Sequence, residues 1–530
     1  MTRPRDTVAS ESVVSTATLA DADARAMRDW YVVPDALVAR VGIAPRVKLL
    51  RDGATWIAHR SHLPLLGVGY DPSPLRSTDT GRLAALGLRP YQIEGVSFLR
   101  ARRGALLADM MRLGKTAQIV ASHDLADGRI LIVGPRAVRS VWVAWCRKVF
   151  PEVEVFCVEG TFYDPSKFRT AQIIFAHYEI LPAWASLLWL RPGLLVFDEA
   201  HMLSNRGSMR SQAAAFLSSQ AERVVCATGT PLWNQPAGIY TLLDCMAPAA
   251  WGTWREFAER YCDGRPGPHG FVADGVSNVD EFRARIGEIM LRRTWDDVAT
   301  DLPPTEREIE RVPLDDVQLD KIELALWSAR TAGARKATIG EIAKLRHLMA
   351  VPKIDRTVAH ARRVLAAGRP VVIWAWHRRI AEAISSRLGD DALLLTGETY
   401  PDKRDALLDT WRAAKPTALV ATISVAQVGI DLSHAADAIF AELDFTPATI
   451  AQAEMRTFAP SRPMRVTYIA VEHRVERDIV LALKRKLDHA GLLGVPAADA
   501  TIDILRSAFG VDDGPDLSRL RDALIGEAAR

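Results

Sequence analysis

Ten short, almost unbroken apolar runs, in two sets of five, limit what this chain can fold into more than any other feature. The first set is Ala105–Ala108, Ile130–Val133, Gln172–Ala176, Leu194–Phe197 and Val224–Ala227. The second is Val371–Trp376, Ala392–Thr396, Ala418–Ile423, Ala438–Ala441 and Val466–Val471. Runs this short, without polar alternation, predict parallel strands covered on both faces. Helical stretches separate them, including Thr116–Leu125, Arg378–Arg387, Asp402–Ala413, Thr449–Phe458 and Arg474–Ala490. Strand–helix alternation predicts an α/β protein with two doubly wound parallel sheets, whose ligands sit at the carboxyl ends of the strands.

The rest of the chain divides around these two lobes. Residues 84–245 carry the first lobe and 360–490 the second. Residues 246–359 read as a helical extension and linker, with helices at Trp254–Tyr261, Glu281–Arg293, Asp320–Ala332 and Ile339–Met349 and a Gly- and Pro-rich loop from Gly264 to Ser277. Residues 1–80 read as a polar leader followed by a small β-rich accessory module, with runs at Trp30–Val33, Val47–Leu50 and Thr55–Ala58. Its aromatics Trp30, Tyr31 and Trp56 either fill a miniature core or stack on bases. Residues 491–530 read as a helical tail.

Composition excludes several classes. A net charge of +3 over 530 residues gives no basic tail, so any nucleic-acid surface must come from local patches such as Arg100–Arg103. The five cysteines form no CxxC pair, which fits a reduced, metal-free cytoplasmic protein. The amino terminus lacks an apolar signal core, and no apolar run reaches membrane-spanning length. No nuclease motif of the HNH kind is present.

The chemistry concentrates in two stretches. Gly114-Lys115-Thr116 follows the first apolar run and opens a helix. A helix N-terminus presents unpaired backbone N–H groups and favours anions. Gly114 lets a phosphate approach the backbone, Lys115 can reach the β- and γ-phosphates, and the Thr116 hydroxyl can hold Mg²⁺. The full phosphate-loop pattern asks for glycine where Asp109 stands. The second stretch, Asp198-Glu199-Ala200-His201, closes the run Leu194–Phe197. A carboxylate at a strand end can hold Mg²⁺, and its neighbour can orient the attacking water. Together the two stretches predict ATP hydrolysis with Mg²⁺.

The ordered series of stretches resembles the SNF2 family of superfamily 2 DNA-dependent ATPases. Leu88-Arg89-Pro90-Tyr91-Gln92-Ile93-Glu94-Gly95-Val96 resembles the family's adenine-side motif, and Asp109–Thr116 its phosphate loop. Ile132–Pro135 is similar to motif Ia, Asp198–His201 to motif II and Ala227–Asn234 to motif III. Ile289–Arg293 with Asp301–Pro304 looks like the segment that links the lobes. Val371–His377 resembles motif IV, Thr422–Leu432 motif V and Gln452–Arg456 motif VI. The match covers roughly residues 86–490. Within the family it is most like the annealing helicases and the bacterial or phage single-polypeptide members.

The resemblance implies two RecA-like lobes sandwiching ATP, and an ATP-driven translocase on double-stranded or branched DNA in a bacterial or phage-infected cell. It implies that Arg89, Gln92, Leu113, Gly114, Lys115, Thr116 and Ala117 bind the nucleotide from the first lobe, with Gln92 reading adenine. Gly429, Asp431, Gln452 and Arg456 do so from the second, Asp431 accepting the ribose hydroxyl or coupling to motif III. Thr116 and Asp198 hold the metal. Lys115, Asp198, Glu199 and the arginine finger Arg456 are catalytic. His201, Thr228, Gly229 and Thr230 couple the phosphate state to DNA. Arg139, Arg206, Arg378 and Arg379 are candidate phosphate contacts. Further subunits of a DNA-processing assembly are possible partners.

The sequence departs from the family pattern at three positions. Arg112 stands where the phosphate loop usually carries glycine, so its side chain either points away from the phosphates or adds a cation. Met110 replaces an acid. The second motif VI arginine falls on Ala459, so Arg462, or alternatively Arg465, must reach the γ-phosphate from a loop, or one charge is missing. Trp374 and Trp376 are placed either as core or as DNA-stacking residues. Three readings follow: a translocase that remodels branched DNA, rewinds bubbles or strips proteins; a weakly hydrolysing ATP-gated DNA clamp in a defence or replication assembly; and a strand-separating helicase.

Overall fold

The computed structural model describes residues 30–33, 49–52 and 55–59, and residues 79–492 apart from 161–169, 184–190, 230–235, 249, 268–269, 299–302, 332–338, 416, 429 and 460. The leader, the 493–530 tail, Thr230 and Gly429 lie outside the described residues. Near the amino terminus, β1 (Trp30–Val33), β2 (Leu49–Asp52) and β3 (Thr55–His59) form an antiparallel sheet in the order β1-β3-β2.

The first lobe is a seven-stranded, wholly parallel sheet. Its strands are β4 (Gly104–Leu107), β5 (Ile130–Gly134), β6 (Val155–Cys157), β7 (Ile173–His177), β8 (Leu194–Asp198) and β9 (Arg223–Ala227), with a seventh arriving from much later in the chain. A short antiparallel hairpin, β10 (Arg265–Gly267) and β11 (Gly270–Val272), sits inside the stretch expected to be loop. The seventh strand, β12 (Met290–Leu291), lies beside β4, where a helix continuing to Arg293 was expected. The helix Val279–Gly287 stops short, and the chain turns into the sheet. The sheet order is β12-β4-β9-β8-β5-β7-β6.

The second lobe repeats the arrangement with six parallel strands. They are β13 (Thr305–Val312), β14 (Val371–Ala375), β15 (Ala392–Leu395), β16 (Ala418–Thr422), β17 (Asp437–Phe440) and β18 (Met464–Val471), in the order β13-β18-β17-β14-β16-β15. β13 was expected to be linker. Its Thr-Glu-Arg-Glu-Ile-Glu-Arg-Val sequence hides the strand because it lies at the sheet edge, where charges face water and discourage pairing with other chains. The second sheet therefore begins near 305, well before 360. Both sheets are covered on two faces, the first by clusters around Phe197 and around Trp142, the second by clusters around Trp374 and around Ile373. Among the described residues, no helix is long and apolar enough to cross a membrane.

The arginine patch is partly structural, and the two tryptophans part company. Arg102 donates to the Glu288 carbonyl (2.6 Å) and stacks over Phe98, while Arg103 donates to the Ala221 carbonyl (3.4 Å). The Arg100–Arg103 patch thus has two of its guanidinium groups tied to backbone. Trp374 is fully buried, but Trp376 lies just past the end of β14 and is 37% exposed under Arg346, whose guanidinium sits 3.8 Å above the ring.

Candidate nucleotide site between the lobes

The phosphate loop sits at the carboxyl end of β4. Gly114, the residue before the helix Lys115–Ala121, has φ +78°, a left-handed conformation that favours glycine. A Cβ there would also lie 2.3 Å from Gln92 Nε2. The Gln92 amide is already engaged: it donates to the Leu113 carbonyl (3.0 Å) and accepts from the Arg89 N–H (2.9 Å). In this structure Gln92 therefore braces the loop, where the sequence had it reading adenine. Thr116 is half-buried one residue into the helix, and Ala117 is buried beneath it.

Lys115 folds back on its own loop, donating to the carbonyls of Asp109 (2.8 Å) and Met110 (3.4 Å). Burial lowers its pKa, while Glu199, Asp109 and Asp198 oppose that shift by favouring the charged form. Asp109, fully buried, is held by a bidentate pair with Arg293 (3.0 and 2.6 Å) and by Gln118 (3.0 Å). Its carboxylate is thus occupied in building the loop. Arg292 donates to the carbonyls of Ala108 (3.0 Å) and Gly229 (3.3 Å). Neither arginine was singled out as a site residue. Their signal was the Arg-Arg pair following Met290-Leu291, which only the short strand β12 aims at the loop.

Asp198 ends β8. The Trp142 indole N–H donates to its Oδ2 (2.7 Å), and the Tyr178 hydroxyl donates to its carbonyl (2.8 Å). Burial, and next the charge of Glu199, push the Asp198 carboxyl up to about 6. Glu199 has φ +49°, a strained backbone for a side chain and a common sign of a functional position. Its buried Oε2 has no hydrogen-bond partner among the described residues. His201 Nδ1 lies 3.4 Å from that oxygen and 3.1 Å from Thr228 Oγ1. Burial drives the His201 pKa down to about 3, so the ring is neutral and its approach to Glu199 is not an ion pair. A Cβ on Gly229 would lie 3.0 Å from Met111 Cγ and 3.6 Å from Lys115 Nζ. His201, Thr228 and Gly229 thus connect the end of β8 to the loop through the end of β9.

The second lobe supplies the helix Pro447–Thr457. Gln452 and Arg456 lie one turn apart on it; Gln452 is buried and Arg456 half-buried. Arg456 Nε donates to the Ala426 carbonyl (2.7 Å), while its buried Nη2 has no hydrogen-bond partner among the described residues. Gln452 Oε1 is likewise buried without one. Burial lowers the Arg456 pKa, and the strongest opposing influence is the charge of Glu199 in the other lobe. The cleft therefore gathers Lys115, Asp198, Glu199 and Arg456, with Gln452 one helical turn from Arg456. Among the described residues, a Glu199 carboxylate oxygen, the Gln452 amide oxygen and an Arg456 guanidinium nitrogen have no hydrogen-bond partner. Buried polar atoms rarely stay unpaired in native proteins, so this donor and acceptor set fits a polyphosphate with its metal and water.

Other expected members lie elsewhere. Arg462 donates to the Ser433 carbonyl and faces Asp437 at the start of β17; Arg465 pairs with Glu306 (3.3 Å). Neither is brought to the Lys115 loop, because Pro463 and the start of β18 carry that segment into the sheet. Asp431 pairs with Arg112 and accepts from the Ser433 N–H (3.0 Å). Of the expected DNA contacts, Arg139 pairs with Glu159 (2.6 Å), and Arg206 lies over Trp254 (5.4 Å). Arg378 pairs with Glu382 (2.7 Å) and Glu398, while Arg379 is exposed beside it.

Comparisons with known proteins agree with this geometry. A family model described as "SNF2-related domain" matches residues 91–358, and one described as "Helicase conserved C-terminal domain" matches 356–459. The chain is similar to the SWI/SNF-related matrix-associated actin-dependent regulator of chromatin subfamily A-like protein 1 of Drosophila melanogaster. The two are 29% identical over 77% of this chain and 56% of that protein. It is also similar to the DNA annealing helicase and endonuclease ZRANB3 of Homo sapiens, 26% identical over 70% of this chain and 36% of that protein. The chain thus spans about half the length of the curated relatives it matches. These relatives are animal proteins and lend no support to a bacterial or phage setting. Among solved structures, the Sulfolobus solfataricus SWI2/SNF2 ATPase core in complex with dsDNA is 21% identical, with 83% of this chain and 98% of that chain covered and a TM-score of 0.38.

Proposed function

We propose, because the chain belongs to the SNF2-related family, that it is a DNA-dependent ATPase that moves on duplex DNA and remodels branched DNA or protein–DNA complexes. One observation carries the reading. Arg456 from the second lobe and Glu199 from the first are half-buried against a common cleft, each with one buried polar atom that has no hydrogen-bond partner among the described residues. A carboxylate and a guanidinium held this way, around a lysine at a helix N-terminus, suit phosphoryl transfer to water.

Each residue has a role in that reaction. Lys115 leaves the Asp109 and Met110 carbonyls and binds the β- and γ-phosphates, while the first N–H groups of its helix bind the same oxygens. Thr116 and Asp198 would hold Mg²⁺, which when bound neutralises phosphate charge. Glu199 orients the attacking water and accepts its proton. Arg456 stabilises the charge that develops on the transferred phosphoryl group. His201 and Thr228, bonded to each other beside Glu199, relay the state of the site toward the strand ends where DNA is expected. The exposed groups Arg139, Arg206, Arg378 and Arg379 are the candidate phosphate contacts there.

The decisive measurement is ATP turnover with single-stranded, duplex and forked DNA. Duplex or forked DNA should stimulate turnover strongly, and Lys115→Ala should abolish it. Turnover indifferent to every DNA would end the reading. One observation favours a second reading, an ATP-gated DNA clamp with weak hydrolysis: Arg462 faces Ser433 and Asp437, leaving Arg456 as the only one of the sequence-nominated finger arginines in the cleft. ATP-dependent retention on duplex with little turnover would select it.

A further inference from the structure

We propose that Arg112, from the phosphate loop, is a positioning residue that ties the first lobe to the end of the Arg456 helix and so sets Arg456 in the cleft. The inference rests on the ATPase reading above and adds a residue to it. The Arg112 guanidinium makes three bonds to the second lobe: to the Arg456 carbonyl (2.8 Å), to the Phe458 carbonyl and to the Asp431 carboxylate.

The two carbonyls explain why a cation belongs there. The helix Pro447–Thr457 ends because Phe458 is extended (ψ +132°). Its last carbonyls lack intrahelical partners and carry the negative end of the helix dipole. Within the second lobe, the Leu432 N–H (3.0 Å) reaches the Arg456 carbonyl. Arg112 supplies further donors from the other lobe, bonding the backbone of the very residue whose side chain enters the cleft. The ion pair with Asp431 is a lesser part. Its partners are 25% and 65% exposed, and a pair so open to water is worth no more than about fivefold in an equilibrium.

The residues on either side of Arg112 lock the same contact. Met111 and Leu113 are buried in a cluster with Ile430, Leu432, Met455 and Phe458 of the second lobe. Trp295, in the same cluster, donates its indole N–H to the Met111 carbonyl (3.1 Å) and packs on Phe458 with ring centroids 5.3 Å apart. Arg112 itself has φ +67°, a conformation in which glycine would be unstrained. A bulky cation at a backbone position suited to glycine makes sense if its side chain is needed. The front of the loop thus faces phosphate and its back is seated in the other lobe, so a change in one is felt by the other.

The φ value makes Arg112→Gly a clean test, since glycine relieves strain while removing every bond. Two quantities are measured: the separation of fluorophores placed on one exposed site of each lobe, without nucleotide, and kcat and KM for ATP with duplex DNA. Arg112→Gly should widen the lobe distribution and lower kcat about tenfold to a hundredfold, with KM changed less than about threefold, because the lost bonds set Arg456 rather than bind substrate. Arg112→Lys, which keeps the charge but not the planar fork, should fall between Gly and wild type. Asp431→Asn, a second variant that leaves the loop untouched, should lower kcat by no more than about fivefold. Wild-type kcat and lobe separation in Arg112→Gly would overturn the proposal. If the wild type fails to hydrolyse ATP, the functional reading falls alone. In that case unchanged lobe separation in Arg112→Gly overturns the tie, and a widened one upholds it.

Discussion

The two walls of the cleft are finished to different degrees. In the first lobe nearly every charged group is paired within the lobe: Asp109 with Arg293 and Gln118, Asp198 with Trp142, Lys115 with loop carbonyls. In the second, Gln452 and Arg456 each bring a buried polar atom with no partner among the described residues. The first lobe is therefore a preorganised holder. The second is a probe whose satisfaction depends on what enters the cleft and on how closely the lobes meet. The translocase proposed above would need this division, because a second wall completed by its own contacts would have nothing to gain from a change of nucleotide.

The largest expected effect comes from Glu199, whose Oε2 has no hydrogen-bond partner among the described residues. Glu199→Gln keeps the shape and removes the base. It should lower kcat by about a thousandfold or more while ATP binding persists, a size usual for loss of a group acting chiefly in the transition state. Nucleotide binding and single-turnover rates on the same variant check it. A variant that also failed to bind ATP would mean that Glu199 belongs to the holder, and the contrast between the walls would weaken.

Next is the support of the holder itself. Arg293→Ala strands the Asp109 carboxylate, which is fully buried. Breaking a buried pair from one side costs about 3–5 kcal/mol, because the remaining charge keeps its desolvation cost and loses its partner. The loss should appear as a lower denaturation midpoint of the first lobe. A double change, Arg293→Met with Asp109→Leu, should recover much of the stability but not the ATPase, since the loop would then lack its brace.

Acid should also separate the lobes. His123 lies in the first lobe with its Nε2 against the Gly128 carbonyl (2.9 Å), and burial drives its pKa from 6.5 down to about 4. The unfolded chain binds that proton more tightly than the folded one. The stability contributed by the neutral ring is therefore whole above pH about 6.5, falls by about 1.4 kcal/mol per unit below it, and is spent near pH 4, a total of about 3 kcal/mol. Hydrogen exchange between pH 7 and 4.5 should show the first lobe loosening, and His123→Asn should flatten that dependence. A pH dependence unchanged in the variant would assign the acid sensitivity to other groups.

Much of this was legible in the sequence, and the failures share a cause. The buried parallel strands were read within a residue or two because an unbroken apolar run admits few other placements. β13 was missed because five of its eight residues are charged, and β6 and β12 because two or three residues make no periodicity. Lys115, Asp198, Glu199 and Arg456 were nominated because their chemistry travels with local spacing, and the fold brings the four to one cleft. Arg112 was noticed only as a departure, and Arg293 only as part of the linking segment, since their partners stand 319 and 184 positions away. Arg462 was nominated to fill a charge that local spacing seemed to require, and tertiary structure took it to Ser433. Sequence reports the wall built from contiguous motifs far better than the joints between walls.

The smallest expected effect tests how far the holder's preorganisation reaches. Among the described residues the Trp142 indole N–H is the one side-chain hydrogen-bond donor to Asp198, and it lies on the helix Arg139–Val149, which also starts with a candidate DNA contact. Trp142→Phe keeps most of the ring volume and deletes the donor. The Asp198 carboxyl, already pushed up to about 6 chiefly by burial, loses one of the influences that lower it. It becomes harder to ionise and less well oriented. Partners behind a metal ligand usually change metal affinity by about ten- to a hundredfold. We expect the low end, about tenfold more Mg²⁺ for half-maximal turnover with kcat at saturation little changed, because the donor orients the carboxylate and takes no part in the transfer. An Mg²⁺ titration of ATPase rate decides it. If kcat fell instead and the Mg²⁺ requirement held, Trp142 would be acting through its helix on the DNA side, and the first lobe would be less a fixed holder than a second moving part.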